Sequence, residues 1–514
     1  MKYFQQVPTK TKSEIYWVAA AVLVHLLITL PFAYSLNVWS DEGSTLFTTG
    51  QGIGFAIDTA VKNEKQAPLY FIIMSGWRQI DESIFFARLF SVLVGVASIV
   101  SFRYLTQILF GPSHARVLTL LFAVHPFLIW ASLEIRVYAL LIFGSIIQLN
   151  LFYRSYFRTG EEALHENDSY FSRPVLKASY ALLGIVGLYL HYYFGFFLFG
   201  GLLALIVTGR WKRAVAYFAS LLMAGTFFVP HAFVLIEQIG IRTTIPTEER
   251  TFLMAARMIW GHFLAIVFPL ELFPIGGPTS LSISRLWLAR ATVLASIVIL
   301  AARRFRGLDA NFFVIGCFIL GVAVSLILAN LLVGPELLAL RHASVYFVPV
   351  FLFVALAAYT LFPRRLVLLP VIVFLGFAIY SSYTLLAPGA KRGDWISVVN
   401  YVTENERPNQ PIVVFDAFDV LSFMAHYKGK NEVFPKTGHF DSIIEDKPGT
   451  ARAYENQIRS IVSEVPENAV EVWLLTHEKC NYGDNCLPLE RFIAANYIVI
   501  ADRQFFLERV RLLR

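Results

Sequence analysis

The sequence predicts an α-helical polytopic membrane protein that carries a small soluble α/β domain at its C-terminal end. Three observations predict it. The chain has 514 residues, 57% of them hydrophobic and only 15% charged, where an ordinary soluble domain carries roughly a quarter charged residues. Apolar runs recur, about eleven of them near the length of ~20 residues that a helix needs to cross hydrocarbon. The charge is also unevenly placed. Pro388 to the end holds 15 Lys+Arg and 18 Asp+Glu in 127 residues, net −3, whereas the preceding 387 residues hold 28 and 18, net +10. This pattern excludes a disordered tail, a collagen and a disulfide-stapled miniprotein. The basic excess sits in short loops between apolar runs, where membrane topology explains it, so no nucleic-acid partner is expected.

The expected spans are 15–36, 84–107, 116–131, 137–153, 177–193, 194–209, 214–236, 286–302, 312–333, 345–362 and 366–387. Lys2, Lys10 and Lys12 put the N-terminus in the cytoplasm by the positive-inside rule. Alternation then places the loop with Arg154, Arg158, Arg173 and Lys177, the run Arg210–Arg213, the cluster Arg303–Arg306 and Arg364-Arg365 on the same side. Residues 252–273 are apolar enough to span, but a crossing there would put Arg303–Arg306 outside. With Pro269, Pro274, Gly276, Gly277 and Pro278, this segment reads as re-entrant or juxtamembrane on the outer side; a twelfth span is the alternative. Eleven spans leave the C-terminus outside. The first apolar run reads as a retained anchor without a cleavage pattern. A bacterial inner membrane with the soluble domain in the periplasm is expected. The domains are thus 1–387, with a long first outer loop 37–83, and 388–514.

The first outer loop holds two apolar helix candidates too short or too polar to span, 51–62 and 68–80. In the soluble domain 410–415 and 470–475 read as buried strands, and 394–403 and 451–462 as amphipathic helices. Cys317 lies in a span. Cys480 and Cys486 flank a turn-rich loop in the outer domain, where either a disulfide or two reduced thiols are expected.

Ionisable groups are costly in a membrane, so each is a functional-site candidate. They gather on the outer side. Asp41-Glu42 follows the first span, where two adjacent carboxylates suit a general base and its orienting partner; Ser40-Asp41 also reads as a helix N-cap. Lys62, Glu64 and Lys65 precede Gln66-Ala67-Pro68-Leu69-Tyr70-Phe71 in the same loop. Glu134-Ile135-Arg136-Val137-Tyr138 joins spans three and four, and Arg136 is a planar fork for a phosphate. His191-Tyr192-Tyr193 follows span five, and Glu336 to His342, with Arg341, precedes span ten. An interfacial aromatic belt explains the tyrosines without function, and Arg341 can simply snorkel. His231, Glu237 and Arg242 are weaker candidates. Acids, arginines and histidines on one face suit a reaction between an anionic membrane lipid and something at the outer surface.

Seven short motifs, in order along nearly the whole chain, resemble those of GT-C glycosyltransferases, closest to the branch of protein O-mannosyltransferases and lipid A aminoarabinose transferases. Trp39-Ser40-Asp41-Glu42-Gly43 resembles the Asp-Glu signature, Ala67-Pro68-Leu69-Tyr70-Phe71 the HPPLYY segment, and Ala87-Arg88-Leu89-Phe90-Ser91 the xRLxS element. Ser132 to Leu140 resembles SxExRxYxL, and Leu190-His191-Tyr192 the tHY loop. Arg341 with Tyr346 and Pro349 resembles RYxxxxxP, and Asp394-Trp395 through Val402 the DWRxVxxYL start of the outer domain. The resemblance implies a GT-C type fold and an inverting enzyme. Such an enzyme moves a sugar from a polyprenyl-phosphate (undecaprenyl-phosphate-type) donor to an envelope acceptor: lipid A or another glycolipid, a glycan, or a protein. By resemblance Asp41 is the general base, Glu42 helps hold it or the acceptor, and Glu134 is the second acid near the sugar. Lys65, Arg136, Tyr138, His191, Tyr192, Arg341 and His342 are the expected donor phosphate and sugar ligands. No cofactor and no metal are expected. Two positions depart from the pattern: Ala67 stands where the family has His or Lys, with Lys65 two residues earlier, and His342 replaces the Tyr after the arginine. A polysaccharide ligase or polymerase would also use outer arginines, but is not expected to carry Asp-Glu directly after the first span. A lipid-linked glycan transporter would show midplane polar groups and repeats.

Overall fold

The computed structural model describes residues 7–158, 173–244, 251–269, 280–302, 310–333, 335–361, 368–386, 393–415, 417–436, 451–466, 469–477 and 486–514. The chain forms two compact units, one of residues 1–33 and 57–385, the other of residues 34–56 and 386–514.

The first unit is helical. Among the described residues four helices are long and apolar enough to cross a membrane, Glu14–Ser35, Ile84–Ala123, Trp211–Gly240 and Ala310–Leu332. Five shorter apolar helices accompany them, Pro174–Leu190, Phe194–Val207, Phe252–Val267, Phe347–Thr360 and Val371–Leu385. Helices α1 (Val7–Ser35), α3 (Ile53–Lys62), α4 (Leu69–Arg78), α5 (Ile84–Ala123), α6 (Pro126–Ser132) and α7 (Tyr138–Phe152) follow in chain order, with α2 (Ser40–Thr49) between α1 and α3. The expected spans 84–107 and 116–131 are separated by a break in the helix, and the second of them is cut again. The chain runs helically from Ile84 to Ala123 with one break at Gly111 (φ 75°, ψ 172°), followed by Pro112. The second of those spans is then interrupted at His125, whose imidazole Nδ1 caps α6 by accepting from the Phe127 amide (3.1 Å). Hydropathy alone does not register such a break, because the residues on both sides are equally apolar. The segment 252–273 holds one helix, Phe252–Val267, ending before Pro269; its remainder from 270 lies outside the described residues, as do the clusters Arg303–Arg306 and Arg364-Arg365.

Polar side chains tie these helices. His25 of α1 meets the Ala123 carbonyl (2.8 Å) through Nδ1 and Ser132 Oγ (3.1 Å) through Nε2. His125 Nε2 donates to the carbonyl of Ile266 (3.1 Å). Each ring is fully buried, and a buried polar group is tolerated when hydrogen-bonded.

The second unit is a layered α/β structure. Its mixed sheet runs in the order β2-β1-β3-β5-β4, with β1 Ile412–Val414, β2 Val433–Phe434, β3 Val472–Thr476, β4 Val499–Gln504 and β5 Arg509–Leu513. β1 is parallel to β2 and β3, while β5 pairs antiparallel with β3 and β4. Successive side chains on a strand point to opposite faces. Ile412, Val414, Trp473 and Leu475 therefore form one core with Trp395, Val398, Val420 and Phe423. Val413, Val472 and Leu474 form the other with Ile458, Ile461, Leu489 and Ile493. The four strands and helices expected here fall within a few residues of β1, β3, Trp395–Asn405 and Ala451–Glu464. Cys486 is disulfide-bonded; Cys480 lies outside the described residues.

The segment carrying Asp41 and Glu42 packs into this second unit. The Asn37 amide oxygen accepts from the Ile396 amide (2.8 Å), and the Val38 amide donates to His426 Nε2 (3.1 Å). α2 lies against the helix Ala417–His426, and Gly43 makes the approach: a Cβ there would stand 2.8 Å from the Leu421 carbonyl carbon. Below the same helix, His477 Nδ1 stands 3.1 Å from Asp419 Oδ2, and Nε2 3.5 Å from Glu508 Oε1. Glu508 also accepts the Asp394 and Leu507 amides (3.0 and 3.2 Å). Burial pushes its carboxyl above the usual range.

Two predictions follow from this unit's packing. Gly43→Val drives its side chain into the Leu421 backbone and is expected to destabilise the unit by about 1–3 kcal/mol, read as a lowered denaturation midpoint. Glu508, with its raised pKa, stabilises fully below its ordinary value and loses that contribution as pH rises through the raised one. The stability of Glu508→Gln relative to the native protein should thus improve from pH 4 to pH 7 in thermal unfolding.

Candidate donor pocket and catalytic carboxylates

In the first unit a cavity of about 630 Å³ gathers residues from several separated stretches of sequence, four of which carry the expected ligands. Lys65, Gln66 and Ala67 come from the turn after α3, Arg136 and Tyr138 from the entry to α7, His191 to Tyr193 from the link before the helix Phe194–Val207, and Arg341 and His342 from the approach to Phe347–Leu361. All seven expected donor ligands therefore line one space. Its lining, among the described residues, includes three permanent cations and no carboxylate.

Each stretch is held for a physical reason. The chain leaves α3 through amide bonds from Glu64 to the Thr59 carbonyl and from Gln66 to Ala60 (3.0 Å each). Lys65 is then left-handed, φ 51°, where glycine is the usual occupant. A lysine there is strained by about 1 kcal/mol, and such strain concentrates at functional sites. Arg136 is buried and its Nη1 donates to Glu64 Oε2 at 3.1 Å, both side chains nearly enclosed. Its neighbour Tyr138 is stacked on Trp130, centroids 4.9 Å apart.

Opposite them, the Tyr192 hydroxyl donates to Gln238 Oε1 (3.0 Å) and accepts from His231 Nε2 (3.0 Å), and Gln238 Nε2 donates to the Val61 carbonyl (2.9 Å). This chain of bonds runs from the helix Trp211–Thr244 to α3. Arg341 and His342 sit on a 3₁₀ helix, Leu340–Val345. The backbone before it is pinned at two carbonyls: Tyr193 Oη donates to Leu337 (3.2 Å), and His262 Nε2 to Leu338 (2.7 Å). His262 Nδ1 accepts from the Tyr346 hydroxyl (2.7 Å). The rings of His191, Tyr193 and His342 pack at 4.5–5.6 Å between centroids.

The expected acids are placed elsewhere. Glu134 is buried but does not line the cavity; its backbone carbonyl accepts Ser91 Oγ (2.6 Å). Asp41 and Glu42 belong to the second unit. They occupy the first turn of α2, and the residue at its N-cap is Trp39, with no side-chain capping bond. The N-cap alternative for Ser40-Asp41 is thus set aside. Glu42 is fully buried, Asp41 partly exposed.

Three partners were not assigned from sequence: Glu64 as the counter-ion of Arg136, Gln238, and His262. A glutamine and a histidine inside apolar helices are the signal that marks the last two. For Glu64 the signal is a lone acid between two lysines.

No protein-family model matches the chain, and no curated protein does. Similar solved structures include ArnT from Cupriavidus metallidurans bound to undecaprenyl phosphate, at 15% identity and TM-score 0.48, covering 96% of this chain and 98% of that one. The Archaeoglobus fulgidus oligosaccharyltransferase in complex with Zn and sulfate is similar at 11% identity and TM-score 0.47, over 90% of this chain and 68% of that one. The same enzyme tethered to an acceptor peptide containing the NVT sequon gives 11% and 0.42, over 90% and 69%. All three lie below a TM-score of 0.5, so the functional reading rests on the chain's own residues.

The Glu64–Arg136 pair predicts a strong coupling. Removing one partner leaves a buried charge uncompensated, at about 3–5 kcal/mol. Glu64→Ala is therefore expected to lower stability by that order. The double variant Glu64→Ala/Arg136→Ala should lose clearly less than the sum of the singles in a denaturation cycle.

Proposed function

We propose that the protein is an integral-membrane GT-C type glycosyltransferase that moves a sugar from a polyprenyl-phosphate donor to an envelope acceptor on the periplasmic face. The observation that carries this reading is the cavity: Lys65, Arg136 and Arg341 line one space in a unit built from apolar helices. Ionisable groups gathered in such a unit mark a functional site, and cations facing one cavity suit an anionic ligand. The order of motifs, with Asp-Glu directly after the first apolar helix, supports the reaction type.

In the reaction we propose, the donor phosphate binds against Arg136 and Arg341, with Lys65 nearby. Arg136 is already oriented by Glu64, so one face of its guanidinium is fixed before the lipid arrives, which lowers the ordering cost of binding. Tyr138, Tyr192 and the two histidines, His191 and His342, supply hydroxyl and imidazole contacts for the sugar. Asp41 accepts the proton of the acceptor hydroxyl as that oxygen bonds to the anomeric carbon. The bond from that carbon to the phosphate oxygen breaks, and its electron pair leaves with the polyprenyl phosphate. Attack opposite the leaving group inverts the centre. An ordinary carboxylate is a weak base for a hydroxyl, and it becomes effective as the sugar gains oxocarbenium character and the hydroxyl acidifies. The cations stabilise charge developing on the leaving phosphate in a water-poor site. Glu42 positions Asp41 or the acceptor; Glu134 does not line the cavity, so no contact with the donor sugar is proposed for it. The soluble α/β unit would stand on the periplasmic side, with the N-terminus in the cytoplasm.

Purified protein given a radiolabelled polyprenyl-phosphate sugar and a membrane extract tests this. Asp41→Asn should cut transfer by at least a hundredfold with donor binding intact. Arg341→Ala should weaken donor binding at least tenfold. Unaltered transfer in Asp41→Asn would remove the base assignment, and the absence of any labelled product from the native protein would remove the function.

A further inference from the structure

A second charged constellation lies in the first unit, at the far end of the α1–α5 pair from Ser91 and Glu134. From Ser91 to Arg103 is 12 residues of α5, about 18 Å along its axis. Here Glu14 of α1 receives Arg103 Nη2 on one carboxylate oxygen and both Nε and Nη2 of Arg116 on the other, at 2.9 and 2.5 Å. Arg103 Nη2 also donates to the Pro112 carbonyl (3.2 Å), just past the break at Gly111. The three side chains line a cavity of about 950 Å³ whose remaining walls are mainly apolar, among them Val18 and Val22 of α1 and Val96 and Val100 of α5.

Two features point to a ligand. Arg103 is 3% exposed, and its Nε and Nη1 have no hydrogen-bond acceptor. Two buried guanidinium donors without acceptors are costly, and an anion entering the cavity that Arg103 lines removes that cost. The charge balance is also unequal. Two guanidiniums face one carboxylate, so the site keeps one net positive charge. That matches a phosphodiester, which carries one negative charge, better than a phosphomonoester, which carries nearly two. The valine-walled groove beside the charges gives an acyl chain an apolar seat. Lys10 and Lys12, which the positive-inside rule places in the cytoplasm, precede Glu14 in the sequence.

We propose that this end of the α1–α5 pair binds a membrane phospholipid of single net negative charge, with its phosphodiester held by Arg103 and Arg116 and one acyl chain along the groove. The site is separate from the donor cavity and does not depend on the glycosyltransferase reading.

Native mass spectrometry of the full-length protein in detergent tests it, with phosphatidylglycerol and phosphatidylcholine of identical acyl chains as probes. The native protein should retain phosphatidylglycerol at least fivefold over phosphatidylcholine. Arg116→Gln should bring the two level, whereas Arg290→Gln, an equal loss of charge elsewhere, should leave the preference unchanged. Arg116 is partly exposed, so this variant keeps the test usable if Arg103→Gln does not fold. Millimolar inorganic phosphate should not displace the lipid. Equal retention of both lipids by the native protein, an unchanged preference in Arg116→Gln, the same loss in Arg290→Gln, or displacement by inorganic phosphate would each overturn the proposal.

Discussion

A guanidinium inside an apolar helical unit has to be given a counter-charge where it stands, and the arrangement of the candidate donor pocket depends on that constraint. Arg136 is enclosed and meets Glu64 at 3.1 Å. The pair ties the entry of α7 to the turn that ends α3, and the same turn carries Lys65 in its left-handed conformation. Arg341 is positioned differently. Its 3₁₀ helix follows carbonyls fixed by Tyr193 and His262. In both places the neutral or oppositely charged partners come from distant sequence, so the positions of the cations are set by packing rather than by their own stretches of chain.

The carboxylates that suit a general base are handled by other means. Asp41 and Glu42 stand in the first turn of α2. α2 is docked by Gly43 against the helix Ala417–His426. The segment 34–56 packs with the C-terminal α/β unit. This gives that unit a structural task whatever else it binds: it holds the helix that carries the acids. The largely enclosed trio of Asp419, His477 and Glu508 lies under the same helix and links its first turn to the sheet.

Much of this was legible in the sequence. Hydropathy located the helical runs to within a few residues because an apolar stretch of membrane length has few other structures open to it. It failed at 116–131, where the His125-Pro126 step breaks an otherwise largely apolar stretch. β1 and β3 were visible as short apolar runs, whereas β4, mostly exposed, has no burial pattern to betray it. In the pocket, Lys65, Arg136, Tyr138, His191, Tyr192, Arg341 and His342 could be singled out because charge and aromatic groups are conspicuous at the ends of apolar helices. Their partners could not. Nothing in one sequence links Glu64 to a residue 72 positions away, or Gln238 to Tyr192. Glu134 was grouped with Arg136 by proximity along the chain, and the turn between α6 and α7 sends only Arg136 and Tyr138 to the cavity.

The most direct test is a structure of the full-length protein with bound polyprenyl phosphate, determined by cryo-electron microscopy. Density for the phosphate in the cavity between Arg136 and Arg341, with the Glu64–Arg136 pair retained, is the predicted result. A phosphate bound away from both arginines, or an unchanged empty cavity at saturating lipid, would contradict the assignment of this cavity to the donor.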